Sequence, residues 1–396
     1  MSQLRTSPNP DLARVAADGY ELAVRYGHLV ITGVPYVNSR KEVRLGTLVS
    51  DMSSISGDVT ASPVQQHVAM WAGEHPCDAS GVPLRYLQHS SNEQVLGPGL
   101  TVNHSFSSKP AEGYRDYHHK LTTYVSMIER HAQEIDSNVS ARTHRFVESD
   151  DADSPFQYPD TASGRVGITN VARKLQLSRV GIFGVGGTGG YILDQVAKTP
   201  VREIAIFDDD TFLQHNAFRA PGAPSAEELR ALPKKVHYFA GIYSRMHRGI
   251  VPHDFAISEE TVGQVGHFDF AFICMDPGTP KRLLVEHLER HGIPFIDVGM
   301  GVELVDDALT GLLRVTTSTP QKRDHVRDKR RISFADGGKD QVYSSNIQIA
   351  DLNAMNALLA VIRWKKLFGF YAADPTSEHY ATYAISGNHI TNEDKE

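Results

Sequence analysis

The run Val180–Gly190 (VGIFGVGGTGG) passes from an apolar stretch into a turn holding Gly184, Gly186, Gly187, Gly189 and Gly190. Glycines at such a turn let the backbone approach phosphate oxygens. The helix expected next offers free N–H groups and the positive end of its dipole to an anion. A second apolar run, Glu203–Phe207, ends in Asp208, where a carboxylate can accept bonds from ribose hydroxyls. Together these segments read as a strand–turn–helix–strand unit that holds a nucleotide.

A glycine turn alone fits a dinucleotide enzyme, so four further features matter. Asp210 follows Asp208 at two residues, and Asn216 and Arg219 lie three apart, one turn if the segment is helical. Pro233 and Lys234 come next in LPKK, and Asp276 ends the run DFAFICMD. Hydride transfer has no use for an arginine–lysine clamp. Nucleotidyl transfer does, because charge builds up on the α-phosphate and on departing pyrophosphate. A carboxylate such as Asp276 can hold Mg²⁺.

The elements that must position these residues alternate along the chain. Strands are expected at 180–183, 203–207, 269–274 and 294–298, with helices at 190–198 and 279–291. Such alternation implies a parallel sheet with right-handed crossovers, whose carboxyl edge gathers Gly184, Asp208, Asp276 and Gly299. Residues 346–368 read as an apolar helix, with Leu352, Met355, Leu359, Ile362 and Leu367 as core or dimer-interface contacts.

In that order, Gly184–Gly189 as GxGGxG, Asp208/Asp210 as DxD, Asn216/Arg219 as NxxR, Pro233/Lys234 and Asp276 resemble the ThiF/MoeB family and the adenylation domain of ubiquitin-activating enzymes. The resemblance covers roughly residues 165–390. It implies an α/β fold, a Rossmann-like mostly parallel sheet preceded here by a smaller α+β domain. It also implies that Gly184, Gly186, Gly187 and Gly189 hold ATP and that Asp208 and Asp210 lie at the nucleotide, with Asp208 on the ribose. Asn216, Arg219 and Lys234 would contact the phosphates and Asp276 would bind Mg²⁺, which makes Arg219, Lys234 and Asp276 the catalytic set. Homodimers are usual in the family, with an arginine reaching the partner's phosphates. Arg165 or Arg173 would take that part, although neither sits in a copy of the family's arginine motif. The reaction implied is adenylation of the C-terminal carboxylate of a ubiquitin-like or sulfur-carrier (β-grasp) protein, in a prokaryotic ubiquitin-like conjugation system. The rival readings are an NAD(P)-dependent oxidoreductase and a non-catalytic nucleotide-binding scaffold.

Departures from the family pattern constrain the chemistry. The sequence holds two cysteines, Cys77 and Cys274, and no CxxC pair. A structural zinc of the usual kind is therefore excluded, as is a disulfide framework. No cysteine follows Cys274, so a thioester cannot form at the family's usual place. Cys274 ends an apolar strand and reads as a packed residue.

Residues 1–140 are expected to form an α+β domain. A helix is read at 11–26, strands in HLVITGVPYV, EVRLGTLVSDM, HVAMWAGEHP and LTVNHSF, and a helix at 114–132. The helix, strand meander and His-Pro turn resemble ubiquitin-conjugating enzymes. Cys77 beside His75 is then a candidate thiol acceptor, since an imidazole can favour a thiolate. The competing reading is a turn cysteine without chemistry. His67, His75, His89 and His104 match no zinc spacing. Residues 141–164 are read as a linker, and the basic run 321–331 as a solvated, mobile loop or the loop covering the carrier's tail.

The 396 residues carry a net charge of −7, which gives no footing for nucleic acid. No apolar run approaches the roughly 20 residues needed to span a bilayer, and the sequence reads as cytoplasmic.

Overall fold

The computed structural model describes residues 9–145, 154–335, 347–373 and 379–392. The chain divides into two compact units, Met1–Asn170 and Val171–Glu396.

In the first unit the helix Pro10–Ala17 opens at Asn9, whose side chain accepts from the amides of Asp11 and Leu12. The helix stops far short of Tyr26. Gly19 adopts φ +93°, a left-handed conformation suited to glycine, which turns the chain into the strand Glu21–Arg25. That strand opens a six-stranded antiparallel sheet. It continues through His28–Val37, Val43–Asp51, Ala69–Ala72, His104–Phe106 and Gln88–Ser90. The expected strand LTVNHSF is split, because Leu100–Val102 pairs with Gln94–Gly97 in a separate ribbon. The helix Tyr117–Ile135 lays Tyr117, Leu121, Tyr124, Val125 and Ile128 into a core with Leu29, Ile31, Leu48 and Trp71, as its helical spacing requires.

The described parts of the segment read as a linker are docked on this unit. Ala141 N–H donates to Glu129 Oε1 (2.6 Å), and His144 N–H to the Gly19 carbonyl (2.9 Å). Residues 161–165 form a short helix. The remaining stretch of that reading, 146–153, lies outside the described residues.

The second unit is built on an eight-stranded sheet. Its strands are β1 (Arg179–Phe183), β2 (Glu203–Phe207), β3 (Ile250–His253), β4 (Phe270–Ile273), β5 (Phe295–Val305), β6 (Ala308–Ser318), β7 (Tyr380–Ala384) and β8 (His389–Asn392). They lie in the order β3-β2-β1-β4-β5-β6-β7-β8. Strands β3 to β5 in this order pair in parallel, and β5 to β8 antiparallel. The helices are α1 (Gly187–Val196), α2 (Lys235–Tyr243), α3 (Thr279–Arg290) and α4 (Ala350–Leu367). Both sheet faces are covered. Val180, Ile182, Ile204 and Ile206 join α1, α2 and α4 on one side, while Phe183, Phe207 and Ile273 join α3 on the other. That explains why the parallel strands read as unbroken apolar runs.

In α4 the buried face is Asn353, Asn356, Ala357, Ala360, Val361 and Trp364, whereas Leu358 and Ile362 are exposed and Leu352, Met355, Leu359 and Leu367 half-buried. Of the stripe read from the sequence, Leu359 and Leu367 pack against the margin of the core and Ile362 lies on the exposed side. The basic run 321–331 is largely exposed, as expected, but it is tethered at several points. Within it the helix Asp324–Asp328 buries His325 and Val326. Arg323 donates to the carbonyls of Glu289 and Ile293, and Arg327 pairs with Glu289.

Candidate functional site

The site grows from the carboxyl ends of β1, β2 and β4. The Gly184 amide donates to the Phe207 carbonyl (2.8 Å) and the Cys274 amide to the Phe183 carbonyl (2.7 Å), so the glycine turn is fixed between two neighbouring strands. Gly184 has φ +86°, and a Cβ there would lie 2.8 Å from the Cys274 carbonyl oxygen. At Gly189 a Cβ would fall 1.8 Å from the Gly184 carbonyl oxygen, and at Gly187 2.1 Å from Asn353. These glycines are demanded by close approach. Gly186 is different: its φ is −74°, and a Cβ on it would meet nothing within 4 Å. The open space adjoins the start of α1, whose N-terminal amides no side chain caps. A phosphate fits a cradle of this kind.

Asp208 leaves the end of β2 and accepts from the amides of Val185 (2.9 Å) and Asp210 (3.0 Å). It thereby ties the second strand to the glycine turn. Burial pushes its carboxyl above the usual range, against the opposing pull of Lys235 and the two amides.

Asn216 sits on the short helix Gln214–Ala217 and is buried. Its Oδ1 accepts from the Leu213 amide (2.8 Å), while its Nδ2 is a buried donor with no partner among the described residues. Arg219, one turn on and half-buried, has a buried Nε in the same condition. The two donors leave room for an acceptor from outside the chain.

The two lysines of LPKK lie in different surroundings. Lys235, the first residue of α2, has a side chain only 8% exposed; its ammonium lies 2.6 Å from Asp210 and 3.4 Å from Asp208. Lys234 turns to the surface, 41% exposed, with its ammonium on the Asp209 carbonyl (2.6 Å) and near Asp254 (3.4 Å). Two adjacent lysines cannot be told apart by spacing. The start of α2, which the sequence reading did not place, turns them in different directions.

Asp276 is exposed in the loop between β4 and α3, on the same carboxyl edge. That loop is anchored from behind. Fully buried Asp297 on β5 pairs with Lys281 in the first turn of α3 (2.8 Å) and with Arg314 on β6 (2.7 Å). No sequence signal marks this network, because its members come from three separate elements. Asn353 and Thr188 also escaped the sequence reading: the Thr188 hydroxyl donates to Asn353 Oδ1 (2.9 Å) and Asn353 Nδ2 to the Arg219 carbonyl (3.2 Å).

Arg165 is exposed on the helix Thr161–Arg165 in the first unit, and Arg173 is half-buried on the turn Arg173–Leu175 in the second. Cys77 does not meet the needs of a nucleophile. It is 2% exposed, and its thiol points at the His75 carbonyl (3.5 Å) instead of the ring. The His75 Nδ1 is occupied by the Pro76 carbonyl (2.9 Å). Burial, with Asp78 and Glu74 nearby, pushes the thiol up and away from the reactive thiolate. Cys274 is likewise held as a thiol by burial.

Compared with known families, residues 163–390 match the ThiF family. The chain belongs to the ThiF family. That membership supports nucleotide binding and adenylation as the chemistry of this region. Residues 10–161 match a domain of unknown function, DUF6791. Among curated proteins none matches the chain. Solved structures similar to this ThiF-family chain include Escherichia coli MccB with ATP, at 16% identity and TM-score 0.45, covering 59% of this chain and 69% of that one. MccB with AMPCPP and MccA gives 17% identity and TM-score 0.46, covering 58% of this chain and 67% of that one. PaaA gives 16% and 0.44, covering 57% of this chain and 76% of that one. Among the described residues no helix is long and apolar enough to cross a membrane.

Proposed function

We propose that this ThiF-family protein is an ATP-dependent adenylyltransferase that activates the C-terminal carboxylate of a small ubiquitin-like or sulfur-carrier protein of β-grasp type, in a prokaryotic ubiquitin-like conjugation system. The observation that carries the reading is the pair of buried donors on Asn216 and Arg219, without partners among the described residues, beside the open glycine turn. In this reading the adenylation domain spans residues 165–390. The amides after Gly186 and the orphaned donors bind the phosphates, and Asp208 accepts from the ribose. Arg219 and Lys235 offset charge on the α-phosphate and on the leaving group. Asp276 is the residue that would hold Mg²⁺, which when bound supplies further charge neutralisation at the phosphates. The carrier's carboxylate oxygen attacks the α-phosphorus, and the bond to the bridging oxygen of pyrophosphate breaks. The products are an acyl-adenylate and pyrophosphate.

No thioester on the chain is proposed, because neither cysteine has an accessible thiolate. The acyl group passes from the adenylate to another acceptor. A homodimer is part of the proposal, with Arg165 or Arg173 reaching the partner's phosphates. The exposed Leu358 and Ile362 on α4 and the 78% exposed Phe218 beside Arg219 suit a covering partner. An NAD(P) oxidoreductase would leave the Arg219 and Lys235 groups without work.

The test is exchange of labelled pyrophosphate into ATP, with and without the carrier. Carrier-dependent exchange is expected. Absence of exchange, together with binding of a nicotinamide dinucleotide, would replace this reading with the dehydrogenase one.

A further inference from the structure

Asn353 is an amide where the pattern of α4 calls for an apolar residue. It is 1% exposed. Burying an amide is costly unless both of its polar ends are satisfied, and asparagine is a poor helix former. Here both ends are satisfied, and by different parts of the site. Oδ1 takes the hydroxyl of Thr188 in the first turn of α1 (2.9 Å), and Nδ2 reaches the Arg219 carbonyl (3.2 Å). The side chain also occupies the space that a Cβ on Gly187 would need. The start of α1 and the segment Asn216–Arg219 belong to separate connections of the sheet, and one amide joins them.

We infer that Asn353 is a positioning residue that sets the distance between the phosphate-binding amides of α1 and the guanidinium of Arg219. The inference rests on the adenylation reading for its consequence, though not for its geometry. Asn356, one turn on, makes a comparable tie from α4 to the Gly299 carbonyl (3.0 Å). A single helix thus indexes the glycine turn, the Arg219 segment and β5.

Two variants of the full chain separate the two bonds. Asn353→Asp keeps the shape and the acceptor for Thr188 but turns an oxygen toward the Arg219 carbonyl, so that tie is lost. Thr188→Val removes the other. Each is expected to raise the KM for ATP or lower exchange by about tenfold, with the double variant less than multiplicative. In Asn353→Asp the loss should ease toward acid pH, where the protonated carboxyl regains a donor; the wild type should show no such slope. Amide hydrogen exchange at 187–190 and 216–220 should quicken in the ligand-free variant, while the helix Tyr117–Ile135 keeps its protection.

If wild-type protein gives no pyrophosphate exchange, the adenylation reading fails, and hydrogen exchange alone still decides whether Asn353 couples the two segments. Unchanged protection at both segments in Asn353→Asp would overturn the inference. Should that variant fail to fold, unchanged protection and unchanged KM in Thr188→Val would overturn it equally.

Discussion

The ammonium of Lys235 stands 2.6 Å from the carboxylate of Asp210 and 3.4 Å from that of Asp208. A buried cation at a nucleotide site must be neutralised before the phosphates arrive, and these two acids do so. The neighbouring Lys234 has no comparable place, since its charge is answered at the surface by Asp254.

Replacing Lys235 by methionine should therefore reduce pyrophosphate exchange by about a hundredfold, the scale of one fixed group facing developing charge. Lys234→Met should stay within about twofold, as surface changes do. Equal losses in the two variants would remove the basis for choosing between them.

The glycine turn gives a paired expectation. Gly186→Ala adds a methyl into space that no described protein atom occupies, so the thermal midpoint should fall less than in Gly189→Ala while ATP binds about tenfold more weakly. Gly189→Ala drives a Cβ onto the Gly184 carbonyl, an overpacking that costs about 1–3 kcal/mol or more. Thermal melts with and without ATP distinguish them. A large loss of stability in Gly186→Ala would show that the space is not free.

Cys77→Ala should leave carrier-dependent exchange unchanged and should not alter any covalent product seen by mass spectrometry. A carrier adduct that disappears with Cys77 would restore it as the acyl acceptor.

Stability should depend on pH through Lys120, a fully buried lysine held by the Ser50 hydroxyl (2.8 Å), the Gln66 carbonyl (2.7 Å) and Asp51 (3.4 Å). Burial lowers its pKa from 10.5 to about 8, with Asp51 opposing. Between those two values the unfolded chain binds more protons than the folded one. The cost of burying the ammonium is therefore fully present below about 8 and is relieved as pH rises toward 10.5. Denaturation followed from pH 7 to pH 10 should show the first unit gaining stability, and Lys120→Met should lack that gain. Parallel curves for the two proteins would refute it.

Much of the second unit was legible because β1, β2, β4 and β5 are covered on both faces and so spell short apolar runs. β3 was missed: Ile250–His253 is four residues long and contains Pro252, which the edge position of that strand tolerates. Strands β6 to β8 were missed as well, since an antiparallel extension carries no crossover rhythm. The inward face of α4 was only partly legible. It mixes Ala357, Ala360, Val361 and Trp364 with Asn353 and Asn356, which serve carbonyls of other segments, and Leu359 and Leu367 meet the core from its margin. Periodicity of apolar types passes over the two buried amides. In the first unit, Gly19 shows how one left-handed residue can end a helix whose apolar pattern continues.

Cys77 and Cys274 fall one in each compact unit, and the sequence contains no other cysteine. Both sulfurs are shielded and held as thiols. Alkylating reagents should consequently react only when a unit breathes, at a rate set by the opening equilibrium. The chain carries a native clock for each half, and single-cysteine versions would let the excursions of the two halves be timed separately without any attached label.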